Sequence, residues 1–113
     1  MKKRVLIVED EVLVAMLIEQ LMERLGYEVV AVSSHLEEAV ALAGTLDVDF
    51  AMLDINLNGK QSFPVAEVLR GRAIPFIFVT GYGAAALASD FADAPVVQKP
   101  FGRDTLREAL DKL

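Results

Sequence analysis

The stretch Val5-Leu6-Ile7-Val8-Glu9-Asp10-Glu11 runs four apolar residues straight into three acids. A short, unbroken apolar run is the pattern of a strand buried on both faces, as in a parallel sheet. The same arrangement recurs along the chain. Phe50-Ala51-Met52-Leu53 leads to Asp54, Pro75-Phe76-Ile77-Phe78-Val79 leads to Thr80, and Val96-Val97 leads to Lys99 just before Pro100. Helical patterns separate the runs, and that alternation predicts an α/β fold with a parallel sheet. Strands are predicted near residues 4–8, 28–32, 49–53, 75–79 and 95–98. Helices are predicted near 11–25, 35–44, 62–71, 84–91 and 102–112. Gly26 is placed to end the first helix, and Ser33-Ser34 offers caps for the second.

All strand carboxyl ends of an open parallel sheet share one edge, and ligands bind there. Here that edge would carry Glu9, Asp10, Asp54, Thr80 and Lys99. Clustered carboxylates repel, and a hard dication relieves the repulsion. Oxygen donors with no cysteine or neighbouring histidine favour magnesium, which uses few carboxylates and keeps room for phosphate oxygens. Asp54 is the best placed nucleophile, since a carboxylate attacking a phosphoryl group forms an aspartyl phosphate. Lys99 would neutralise the transferring oxygens, and Thr80 would hydrogen-bond the group once it arrives. Taken singly the parts have plainer readings. Asp10 could be only a helix N-cap, and Asp54 only an Asx turn.

Composition narrows the classes. The chain has 113 residues and 54% hydrophobic residues, enough for one core and too short for two domains. It has no cysteine and one histidine, His35, which excludes disulfides, thiolate chemistry and a His-pair metal site. The net charge of −6 disfavours binding nucleic acid through its phosphates. The first apolar run ends at Glu9, too short for a signal segment, and no run is long enough to span a membrane, so the expected compartment is the cytoplasm. Gly81-x-Gly83-x-x-Ala86 imitates a dinucleotide fingerprint but lacks the acidic residue that such a site needs.

VLIVEDE, LDINLNG, FVTGYG and VVQKPF, in this order and spacing, resemble the receiver domain of two-component response regulators. The resemblance covers essentially all of residues 1–113. It implies a doubly wound, flavodoxin-like sheet in the order 2-1-3-4-5 with helices on both faces. It implies Asp54 as phospho-acceptor from a histidine kinase or phosphotransfer protein, and an unknown downstream protein as target. Asp10 would ligate magnesium directly, Glu9 through water, and Asn56 through its backbone carbonyl. Thr80 and Lys99 would be the switch hydroxyl and lysine, and the bond to Pro100 would be cis. Such a domain catalyses only its own phosphorylation and dephosphorylation, and the chain's end after its fifth helix suggests a stand-alone switch or a phosphate shuttle.

Two departures stand out. Asn58-Gly59 replaces the usual Pro-Gly, and Val96 replaces the switch aromatic usually found three residues before the lysine. The string Pro75-Phe76-Ile77-Phe78-Val79-Thr80-Gly81-Tyr82-Gly83 is similar to the "FAT GUY" receivers, which are often paired with HWE-type kinases. Tyr82 is then expected to take over the aromatic signalling role. Two other functions remain open: a pseudo-receiver interaction module, and an aspartate-nucleophile phosphatase. The phosphatase class usually has a second acid where Asn56 stands, and a cap region.

In the first helix, Val14, Ile18, Leu21, Met22 and Leu25 form the expected core stripe. Val12, Leu13, Met16 and Leu17 fall outside its centre, beside the edge that carries the acids. An apolar cluster there suggests docking, with Leu13, Met16 and Leu17 meeting the kinase helices. The alternative is a wide core stripe.

Overall fold

Strand β1 (Arg4–Val8) lies between β2 (Glu28–Ser33) and β3 (Phe50–Asp54), parallel to both. The computed structural model describes residues 2–81, 91, 93–99 and 101–113. Next to β3 runs β6 (Phe76–Thr80), and β7 (Val96–Gln98) closes the sheet, so the order is β2-β1-β3-β6-β7. The short β4 (Asn56–Leu57) and β5 (Lys60–Gln61) form a separate antiparallel hairpin. With that hairpin set aside, the sheet has the order 2-1-3-4-5 expected from the resemblance.

Alternate strand residues point to opposite faces. Val5, Ile7, Phe50, Met52 and Val79 pack with Ile18 and Met22 of α1 (Val12–Arg24) and Leu106 of α4 (Arg103–Asp111). On the other face Leu6, Val8, Ala51, Leu53 and Phe78 meet α2 (Leu36–Thr45) and α3 (Phe63–Gly71) through Ala39, Ala43, Val65, Ala66 and Leu69. β3 and β6 are buried throughout, so their unbroken apolar runs reflect cover on both sides.

Gly26 has φ +92 and ends α1 in a Schellman motif, with the Tyr27 N–H donating to the Met22 carbonyl and the Gly26 N–H to that of Glu23. The caps expected from Ser33-Ser34 do not form. His35, exposed, occupies the N-cap of α2 without a side-chain bond, and the Ser33 hydroxyl lies 2.7 Å from Glu38 Oε1. The helix starts one residue later than a Ser34 cap requires, so both serines lie ahead of the N-cap position, and Ser33 donates its hydroxyl to Glu38. The helix predicted near 84–91 falls largely outside the described residues, as do Tyr82 and Pro100. No helix among the described residues is long and apolar enough to cross a membrane.

Candidate functional site

Asp54 and Thr80 are the last residues of β3 and β6, and Lys99 directly follows β7. The sequence places Asp54 and Thr80 one residue beyond their strands. The structure keeps both within the sheet, with Asp54 paired to Val79 and Thr80 to Gln98. The Lys99 N–H donates to the Thr80 carbonyl at 2.8 Å, which locks the lysine's backbone to the neighbouring strand.

Lys99 organises the site. Its Nζ lies 2.7 Å from Glu9 Oε1, 3.1 Å from Asp54 Oδ2 and 3.6 Å from Glu11 Oε1. Glu9 is 1% exposed and Asp54 6%, so two of these carboxylates are lodged in the sheet edge, while Glu11 stands in solvent. Asp10 does not cap α1, whose N-cap is Glu11. Its Oδ2 instead accepts the Asn58 N–H at 2.9 Å, across the site. Asp54 does form the Asx contact: its Oδ1 accepts the Asn56 N–H at 3.3 Å. That bond fixes the carboxylate's rotation and is compatible with a chemical role. A shallow pocket opens here, lined by Asp10, Glu11, Asp54, Asn56, Gly81 and Lys99.

The charges are strongly coupled. Burial, aided by Asp54 and opposed by Lys99, pushes the Glu9 carboxyl up from 4.5 to about 8. Burial also raises Asp54, against the pull of Glu9 and Lys99. For Asp10 partial burial acts upward, but the Asn58 N–H and the neighbouring carboxyl groups outweigh it and hold Asp10 low. Desolvation would lower Lys99, yet contact with Glu9 and Asp54 raises it.

Ligand atoms of Glu9, Asp10, Glu11 and Asp54 all lie within 4.8 Å of one another. One ammonium against four carboxylates leaves an excess of hard oxygen donors, and that donor set fits magnesium. Glu11 is a member the sequence reading passes over, because a third acid in a row reads as the start of a helix. Leu13, Met16 and Leu17 lie outside this cluster, on the exposed side of α1.

The family model of the response regulator receiver domain matches residues 5–111. The chain belongs to the response-regulator receiver family. Among solved structures this receiver is similar to SdrG from Sphingomonas melonis Fr1, with TM-score 0.88 and 42% identity over 97% of this chain and 94% of that one. SdrG in a BeF3-activated conformation gives TM-score 0.82. The receiver is 34% identical to the Phyllosphere-induced regulator PhyR of Methylorubrum extorquens, covering 89% of this chain and 39% of PhyR. It is 29% identical to the Transcriptional regulatory protein PdtaR of Mycobacterium tuberculosis, covering 96% of this chain and 55% of PdtaR. The receiver spans about half the length of the curated relatives it matches, or less.

Proposed function

We propose that this receiver takes a phosphoryl group onto Asp54 from a histidine kinase or phosphotransfer protein, and switches conformation in response. The observation that carries the reading is the pairing of a buried Asp54 with Lys99 at 3.1 Å inside a ring of oxygen donors. One Asp54 carboxylate oxygen attacks phosphorus. The bond from phosphorus to the donor's nitrogen or oxygen breaks, and its electron pair leaves with the donor. Lys99 neutralises the transferring oxygens. The Asn56 N–H keeps the Asp54 carboxylate from rotating away. Asp10 and Asp54 would hold magnesium directly, Glu9 through water, and Asn56 through its backbone carbonyl. Magnesium, when bound, supplies positive charge to offset both the carboxylates and the phosphoryl oxygens.

The new phosphate adds about −1.5 to −2 charge at a buried strand end. Thr80 donates its hydroxyl to that phosphate, drawing the loop after β6 inward and changing the surface that the downstream protein reads. SdrG, 42% identical, has a BeF3-activated conformation, which supports the reading of a receiver that switches between conformations. The test is whether a phosphoryl adduct forms and depends on both Asp54 and magnesium; a folded chain that takes none from any donor rejects the reading.

The kinase is proposed to dock on α1. Leu13 is 80% exposed, Met16 50% and Leu17 52%, which excludes a wide core stripe as the reason for their apolarity. These residues stand on the first turns of α1, directly after Glu11. Leu13→Glu should slow transfer from the cognate kinase by about ten-fold or more, the scale of one interface anchor. Phosphorylation by acetyl phosphate, which needs no docking, should keep its rate. Equal slowing with both donors would reject the docking role.

A further inference from the structure

The hairpin after β3 is closed by Asn58 and Gly59, with φ of +52 and +85. Positive φ at both central residues defines a type I′ turn, the turn whose twist suits a two-residue hairpin and which Asn-Gly favours. Asn56 pairs with Gln61 and Leu57 with Lys60 on either side. The turn is anchored on three sides. Leu57 is buried, Asn56 Oδ1 accepts the Gly59 N–H at 2.9 Å, and Asn58 Nδ2 donates to the Ser34 carbonyl at 3.4 Å.

That anchored turn aims one backbone N–H at the acidic site. Asn58 N lies 2.9 Å from Asp10 Oδ2. Among the described residues Lys99 pairs with Glu9, Asp54 and Glu11, while the contact that reaches Asp10 from across the site is the Asn58 N–H. Proline at this position has no N–H to give, and its ring excludes a φ of +52. The replacement of Pro by Asn therefore creates a contact that the usual residue could not make.

We propose that the Asn58–Gly59 turn is the positioning element of the cation site, with the Asn58 N–H holding the Asp10 carboxylate in place beside Asp54. The inference rests on the reading of Asp10 as a magnesium ligand. Partners that orient metal ligands are worth about 10–100-fold in affinity. Magnesium affinity is measured by amide NMR titration on wild type, Asn58→Pro, Gly59→Val, Asn58→Gly and Asp10→Asn. Asn58→Pro removes the donor. Gly59→Val strains the left-handed turn while leaving residue 58 intact. Both should weaken magnesium about ten-fold or more in the folded chain, the folded state being checked in the same amide spectrum because either change also strains the turn. Asn58→Gly restores both the N–H and the backbone freedom, and should return the affinity to within about two-fold. If Asn58→Pro does not fold, Gly59→Val decides. Unchanged affinity in a folded turn variant, or an equal loss in Asn58→Gly, overturns the proposal. Unchanged affinity in Asp10→Asn overturns the ligand reading itself, a separate failure.

Discussion

Raising the pH of the magnesium-free protein from 5 to 8 should lower its stability by about 2–4 kcal/mol, at about 1.4 kcal/mol per pH unit for one retained proton. The cause is Glu9, pushed from 4.5 to about 8 by burial, with Asp54 adding to the effect and Lys99 opposing it. Between those two values the folded chain holds a proton that the unfolded chain has released. Stability from that proton is complete below 4.5 and is lost as pH rises through about 8. Asp54, also raised, acts in the same direction, whereas the lowered Asp10 acts only at more acid pH. Urea unfolding at pH 5, 6.5 and 8 in the presence of a chelator measures it. Glu9→Gln should flatten the slope, and added magnesium should reduce it by favouring the ionised cluster. Stability that is flat or rising across this window would contradict the assignment of Glu9 as the proton holder.

Lys99→Ala should slow phosphorylation by acetyl phosphate about 100-fold or more, the usual scale for removing one charge stabiliser from a reacting centre. Lys99 Nζ lies within 3.1 Å of both Glu9 and Asp54, and among the described residues no other cation pairs with these two. Without it, the buried Glu9–Asp54 pair loses its cation and an incoming phosphoryl group meets no ammonium to offset its charge. The initial rate of adduct formation, followed by intact mass at saturating magnesium, is the readout. Because breaking a buried ion pair also costs stability, about 3–5 kcal/mol in typical cases, unfolding of the variant is measured beside its rate. A folded Lys99→Ala chain reacting within about ten-fold of wild type would remove the lysine from the chemistry.

The central strands are legible because they are buried on both faces. VLIV, FAML and FIFV carry no solvent-facing alternation, and the groups that follow them land on one sheet edge. Gly26 marks the end of α1 because only a left-handed residue closes that helix as it does. Strand order is different: propensity says nothing about it, and the expectation of 2-1-3-4-5 came through the family resemblance. The β4–β5 hairpin escapes an apolar-run reading because its strands have two residues each, although Asn58-Gly59 is itself a strong hairpin signal. The Ser33-Ser34 cap fails because α2 begins at Leu36, which puts His35 in the cap position and leaves both serines ahead of it. Within the site, the residue types are visible in sequence, but the partition of Lys99 among Glu9, Asp54 and Glu11 depends on sub-ångström placement across three elements. The exposed side of α1 lies between. Helical periodicity leaves Leu13, Met16 and Leu17 off the core stripe, and only burial distinguishes a docking face from a wide core.

The most direct test is intact mass after incubation with acetyl phosphate, comparing wild type with Asp54→Ala, each with magnesium and with a chelator. A single phosphoryl adduct on wild type, formed only with magnesium and missing from a folded Asp54→Ala chain, is the expected result. An adduct of equal yield on Asp54→Ala, or one indifferent to magnesium, would contradict the assignment of Asp54 as acceptor in an oxygen-lined cation site.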